Sequence, residues 1–171
     1  WAPTFPSLAR TATPPSRRAM CAVLNRTFPS LADVDDLTEG KGAEFVDASE
    51  VVLVFVSAGY FTSPNCMREL LRAAVRKKPI FALQELEASH GGVSLRDVRQ
   101  VLSSNEARGF YDKCGLASEV RGWGYAMPTA AELYEVLFTE PPIEWARIGV
   151  FQVVSMRLIA EHILTHGGGE T

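Results

Sequence analysis

The sequence predicts an α/β domain in which a parallel sheet is flanked by helices. Short apolar runs alternate with amphipathic segments, which is the pattern of parallel strands joined by right-handed helical crossovers. The clearest case is the continuous apolar run at residues 51–56, which resembles strands covered on both faces. An amphipathic segment follows at residues 64–77. In such sheets ligands bind outside the carboxyl ends of the strands, so the sequence places a site at loop 57–63.

Capping residues define the helix that follows this loop. Ser63 can accept hydrogen bonds from the free N–H groups, and Pro64 fits the first helical position, where no donor is needed. Pro79 ends the segment. Apolar residues recur between these limits with the spacing of one helical face. They are Met67, Leu70, Leu71, Ala74 and Val75.

The other elements are predicted from the same periodicity and from capping patterns. Strands are expected at 31–34, 80–83 and 143–145, and helices at 16–26, 94–102, 129–138 and 150–165. Residues 35–47 are predicted as an acidic loop, and the glycine-rich residues 105–127 as a long loop with a poorly specified strand. The domain would span 16–166, between an irregular tail at 1–15 and a flexible tail at 167–171.

Composition fits one domain that is not a general nucleic-acid binder. The 171 residues can bury about 70% of their unfolded surface, and the net charge is −3. No apolar run is long enough to span a membrane. Cys21, Cys66 and Cys114 are too few and too far apart for a disulfide framework, which favours a reducing, cytoplasmic location. The chain starts at Trp1, not Met, so a fragment or a processed piece is expected.

Glu69 is the candidate for chemistry, because it lies off the apolar face of the 64–77 helix and near its start. Spacing alone leaves two interpretations open. Glu69 could be a solvated residue paired with Arg72 at i+3, an interaction worth a few tenths of a kcal/mol. Alternatively, its carboxylate could stand at the mouth of the ligand crevice.

A longer motif around Glu69 resembles a known signature. The pattern S-x-x-Y-F-x-S-x-x-C-x-x-E-L is similar to that of Toll/interleukin-1 receptor (TIR) domains, especially plant-type and protist versions. Asn65 stands where those versions have Trp. The segment from Leu37 to Gly40 resembles the start of the family's BB loop, and the match covers residues 31–83. The motif residues are Ser57, Tyr60, Phe61, Ser63, Cys66, Glu69 and Leu70.

The resemblance implies a flavodoxin-like fold with one element missing. TIR domains open with an apolar strand that lies centrally in the sheet, and nothing before Arg17 resembles it. The loop after that strand also lines the family's ligand cleft. The absence of this strand and its loop is expected to reduce both the stability of the chain on its own and its activity.

Two functions follow from the resemblance. As an enzyme, the chain would hydrolyse NAD⁺ as a substrate and need no cofactor, with Glu69 as the catalytic carboxylate. The substrate-binding residues would then be Ser57, Tyr60, Ser63 and Cys66. As a module without chemistry, it would self-associate or bind other TIR domains through a loop that contains Asp36, Leu37, Glu39 and Gly40.

Metal sites are not expected from the sequence. His162 and His166 lie at i, i+4, but no third ligand is evident, so a frayed helix end is the favoured interpretation. Asp33, Asp35 and Asp36 do not fit the spacing of a calcium loop and are predicted to begin a solvated loop.

Overall fold

Three parallel strands form one sheet in the computed structural model, which describes residues 42–166. The strands are β1 (Val52–Val56), β2 (Ile80–Gln84) and β3 (Ile143–Glu144), in the order β1-β2-β3. Val52 pairs with Ile80 in the β1–β2 register, and Leu83 pairs with Ile143 in the β2–β3 register. The predicted α/β fold with a parallel sheet flanked by helices is confirmed.

Helices connect and cover these strands. Single 3-10 turns follow β1 at Tyr60–Thr62 and β2 at Ala88–His90. The α-helices in the described residues are α1 (Gly42–Ala48), α2 (Pro64–Val75), α3 (Leu95–Ser103), α4 (Asn105–Lys113), α5 (Leu116–Gly122), α6 (Ala130–Leu137) and α7 (Gly149–His166). In residues 42–166, none of these helices has the length and hydropathy needed to cross a membrane.

Alternating side chains of β2 divide the core between the two faces of the sheet. Ala82 belongs to a cluster with Val54 and Val56 of β1, which packs against helices α2 to α6. Phe81 and Leu83 point to the opposite face, as the two-residue period of a strand requires. On that face they pack with Ile143 of β3, with Trp145 directly after it and with Ile159 of α7.

The prediction of a long loop at residues 105–127 is wrong, because α4 and α5 occupy most of it. The Ser104 hydroxyl accepts a hydrogen bond from Ala107 N at 3.0 Å and caps α4. Ala107 and Tyr111 lie one turn apart on its buried side. Gly115 separates the helices with φ of 72°, a conformation in which a side chain would be strained. The glycines therefore mark a helix boundary and do not prevent helix formation.

The predicted acidic loop at 35–47 is also wrong in its last residues, which form α1. Val46 is buried, and Asp47 accepts hydrogen bonds from Arg72 Nε at 2.9 Å and Nη2 at 2.5 Å. Lys78 Nζ donates to the carbonyl oxygens of Asp47 at 2.8 Å and Ser49 at 2.7 Å. These contacts fasten the end of α1 to the last turn of α2 and to the segment that leads into β2.

Several predictions lie outside the described residues. They are the helix at 16–26, the strand at 31–34, the missing first strand, the tails at 1–15 and 167–171, and the interaction loop with Asp36, Leu37, Glu39 and Gly40.

Candidate functional site

The loop after β1 is held by its own backbone and by a contact with the loop after β2. Tyr60 N donates to Ser57 O at 3.0 Å, which starts the 3-10 turn. Ala58 N donates to Gly91 O at 2.8 Å. Phe61 of the same turn is buried in the core. The loop is therefore an ordered platform at the carboxyl edge of the sheet.

Ser63 caps α2 as the sequence indicated. Its hydroxyl accepts a hydrogen bond from Cys66 N at 3.4 Å, and its carbonyl accepts from Met67 N at 3.0 Å. Pro64 occupies the first turn, where its missing N–H costs nothing. Because the Ser63 hydroxyl serves the helix start, its role is to position the residues of the first turns of α2.

Tyr60 is tied to the same helix. Its hydroxyl donates to Cys66 O at 3.2 Å. Burial of the hydroxyl raises the pKa of Tyr60 well above its usual value, and the neighbouring Cys66 and Glu69 add to the effect. Tyr60 is therefore a neutral donor beside Glu69. The structure thus brings together Tyr60, Ser63, Cys66 and Glu69, while Ser57 reaches this group through the backbone of its loop.

Glu69 is a half-buried carboxylate that neither neighbouring arginine neutralises. Arg68 Nε donates to both carboxylate oxygens of Glu119, at 2.9 and 2.8 Å. Arg72 is bound to Asp47, so the expected surface pair between Glu69 and Arg72 is wrong. Within residues 42–166 the Glu69 side chain makes no hydrogen bond or ion pair.

Burial sets the electrostatic state of Glu69. Removal from water raises the pKa of its carboxyl, and the charge of Arg68 opposes this rise only in part. A carboxylate with few solvent contacts and no hydrogen-bond donor interacts strongly with any cation brought next to it. The arrangement can therefore stabilise positive charge that develops on a bound molecule.

Glu69 does not line either of two clefts in the described part of the chain. One cleft, of about 560 Å³, lies beside the loop after β1 and includes Phe61 and Thr62 together with residues of α3 and α4. The other, of about 320 Å³, lies at the opposite edge of the sheet, where Val51 precedes β1 and Ile80 begins β2. The first cleft thus includes residues of the predicted loop 57–63 but none of α2.

Sequence reasoning missed a buried carboxylate at the carboxyl edge of the sheet. Glu85 follows β2 directly and is 0% exposed. Its Oε1 accepts from Glu87 N at 2.9 Å, and its Oε2 accepts from Arg147 Nε at 2.8 Å. An acidic residue directly after a buried strand was the available signal, but its partner lies 62 positions away.

The sequence shows no third ligand for His162 and His166, but the structure brings a candidate next to them. Glu140, in the segment between α6 and β3, lies next to both imidazole rings. The three residues border the 320 Å³ cleft. Before folding, nothing in the local spacing relates Glu140 to the two histidines.

Comparison of the chain with protein-family models, with curated proteins and with solved structures finds no match. The TIR resemblance therefore rests on the motif that includes Glu69.

Proposed function

We propose that this chain is a TIR-like signalling module that hydrolyses the nicotinamide–ribose bond of NAD⁺, with Glu69 as the catalytic carboxylate. The observation that carries the proposal is the state of Glu69, which is half-buried and unpaired within residues 42–166, although two arginines lie close in sequence. A structural glutamate at this position would be expected to pair with Arg72 at i+3. The motif residues Tyr60, Ser63 and Cys66 surround the same helix start.

The chemistry requires a carboxylate of this kind. When the bond between C1′ of the ribose and the nicotinamide nitrogen breaks, nicotinamide leaves with the electron pair and positive charge develops on the ribose. Glu69 would stabilise this charge. Water then adds its hydroxyl group to C1′ and releases one proton. The Glu69 carboxylate would stabilise the transition state more than the ground state, because the ribose carries no charge before the bond breaks.

The surrounding residues would position Glu69 and the substrate. Ser63 fixes the start of α2, and Tyr60 holds the carbonyl of Cys66, one turn before Glu69. The proposal places Ser57, Tyr60, Ser63 and Cys66 around the bound nucleotide. It includes a cytoplasmic location, which agrees with the free thiols of Cys66 and Cys114.

Nicotinamide release by the purified chain tests this function. We expect turnover of NAD⁺, and a loss of about 10²- to 10³-fold in Glu69→Gln, which keeps shape and removes charge. Glu135→Gln is the matched control, because Glu135 is an exposed residue of α6. Equal NAD⁺ turnover in Glu69→Gln and Glu135→Gln would show that Glu69 takes no part in the reaction.

The second candidate is a TIR-like module without catalysis. It is favoured by the finding that neither cleft is lined by Glu69. In this case the loop with Asp36, Leu37, Glu39 and Gly40 would contact another TIR domain or a second copy of the chain. Reversal of Asp35 and Asp36 to Lys should then weaken self-association in sedimentation experiments, because an acidic loop suits a basic partner surface. Unchanged sedimentation would exclude this loop as the contact.

A further inference from the structure

Three potential ligand groups converge at the amino-terminal edge of the sheet. His162 and His166 lie one turn apart near the end of α7, and Glu140 faces them from the segment before β3. His162 Nε2 lies 2.6 Å from Glu140 Oε2, and His166 Nε2 lies 3.4 Å from Glu140 Oε1. One ligand atom from each residue lies within 4.8 Å of the others. Two imidazole nitrogens and a carboxylate oxygen are thus already together.

The orientation of His166 suits a ligand. Its Nδ1 lies 3.0 Å from the carbonyl oxygen of His162, so this nitrogen carries the proton and donates it. The other ring nitrogen, Nε2, faces Glu140. Metal-bound histidines almost always donate their other N–H to a carbonyl or carboxylate in this way.

His162 is held in place by neighbouring rings. Its imidazole lies 5.0 Å from the Phe81 ring and 5.0 Å from the stacked His166 ring. The side chains of His162 and His166 are 24% and 35% exposed, and that of Glu140 is 46% exposed. The cluster is therefore partly shielded from water yet open to the 320 Å³ cleft that it borders.

We propose that Glu140, His162 and His166 form a Zn²⁺ site, with the two Nε2 atoms and one carboxylate oxygen as ligands. Zn²⁺ takes nitrogen at 2.0–2.1 Å and oxygen at about the same distance in tetrahedral geometry, so ligand atoms are about 3.3 Å apart. His166 Nε2 lies 3.4 Å from Glu140 Oε1, which is close to this value, whereas His162 Nε2 lies 2.6 Å from the other oxygen, Oε2. A small rotation of the Glu140 carboxylate is needed to present one oxygen to both imidazoles.

A fourth position is left for water or an anionic ligand from the cleft, as in zinc sites with three protein ligands. The cleft also contains Lys77 and Lys78. Lys78 Nζ is engaged by two backbone carbonyls, whereas Lys77 is exposed. The open position therefore favours an anion. The site lies at the opposite edge of the sheet from the loop of Ser57 and Tyr60, so it does not depend on the function proposed for Glu69.

Zn²⁺ titration of the metal-free chain, with a chromophoric chelator as competitor, tests the site. We expect one Zn²⁺ per chain, and at least a tenfold loss of affinity in His166→Gln and in Glu140→Gln. His90→Gln is the matched control, because His90 is the one histidine of the sequence outside the cluster and its side chain lies next to Glu87. Its Zn²⁺ affinity should equal that of the parent chain.

Co²⁺ substitution provides an independent readout. Visible absorption bands of tetrahedral Co²⁺ should appear in the parent chain and in His90→Gln, and should be lost in His162→Gln. Absence of Zn²⁺ binding, or affinity that is equal in His166→Gln and His90→Gln, would show that the cluster is an ion pair only and would overturn the proposal. Circular dichroism identifies variants that fold like the parent.

Discussion

Arg147 places two N–H groups on a single carboxylate oxygen of Glu85, with Nε at 2.8 Å and Nη2 at 2.5 Å. The other oxygen of Glu85 accepts the backbone N–H of Glu87. A fully buried charge is thus satisfied on both oxygens. The pair connects the end of β2 to the segment that leads into α7.

Removal of Arg147 should destabilise the protein strongly. Arg147→Met leaves the Glu85 charge buried without its partner, which costs about 3 to 5 kcal/mol in comparable sites. Urea denaturation gives the change in the free energy of unfolding. Arg157→Met is the control, because Arg157 is 78% exposed and forms an i, i+4 pair with Glu161. We expect less than about 0.5 kcal/mol there.

The double variant Glu85→Leu/Arg147→Met separates loss of a charge partner from loss of packing. Replacement of a whole buried pair by apolar residues is often nearly neutral. The double variant should therefore be more stable than Arg147→Met alone. If it is less stable, packing by the arginine and not the ion pair is the main contribution.

The pH dependence of the free energy of unfolding should reveal the raised pKa of Glu69. Its carboxyl has a raised pKa in the folded state, so the folded protein binds more protons than the unfolded chain between the two pKa values. Stability therefore falls as the pH rises through this window above 4.5, and the penalty persists at neutral pH. Glu69→Gln should be more stable than the parent at pH 7 and nearly equal to it below the unfolded pKa.

Thermal melts of Glu69→Gln and the parent across pH 3.5–7.5 measure this difference. If the difference in melting temperature between the parent and Glu69→Gln stays the same at every pH, the burial of this carboxylate is contradicted.

Two adjacent serines should respond differently to alanine. Ser104 caps α4 through Ala107 N, so Ser104→Ala should lose about 1 kcal/mol. Ser103 is exposed at the end of α3, and its hydroxyl donates to the Arg99 carbonyl within the same helix. Ser103→Ala should change stability by less than about 0.5 kcal/mol. Similar values for the two variants, measured by urea denaturation, would contradict the start of α4 at Asn105.

Gly92 and Gly109 should show opposite effects. A Cβ at Gly92 would lie 2.6 Å from Leu86 O and 2.7 Å from the carbonyl carbon of Glu87, so Gly92→Ala forces two backbone segments apart. We expect a loss of roughly 2 kcal/mol. A Cβ at Gly109, inside α4, meets nothing within 4 Å, so Gly109→Ala should add about 0.5 to 1 kcal/mol. If Gly92→Ala and Gly109→Ala shift the melting temperature in the same direction, the space around each added Cβ does not explain the effects.

Local signals in the sequence predicted the sheet and most helices well. The run at 51–56 has few alternatives to a buried strand, and Ser63-Pro64 predicts a helix start that the structure confirms. Thr129 and Glu132 form the expected capping box. Each of these signals depends on residues a few positions apart, which is the range over which sequence patterns determine backbone geometry.

Contacts between distant residues could not be predicted in the same way. The partner of Arg72 is Asp47, 25 positions away, and not Glu69, which is three positions away. Because Arg72 pairs with Asp47, it does not neutralise Glu69, and burial raises the pKa of the Glu69 carboxyl. Glu140 likewise meets His162 and His166 only because α7 packs across β2 and β3. The glycines at 109, 115 and 122 do not indicate a loop, because Gly109 lies within α4 and Gly122 within α5.

The two carbonyl contacts of Lys78 Nζ have a consequence for chemical reactivity. Nζ donates one N–H to Asp47 O and another to Ser49 O, and these two hydrogen bonds hold the group against the protein and restrict the approach of a reagent. Lys77, the next residue, has an exposed side chain. Amine-directed acylating reagents should therefore modify Lys77 long before Lys78 in the folded protein. Acylation of Lys78 would in turn remove one of the links that hold the end of α1, while the ion pair between Arg72 and Asp47 would remain.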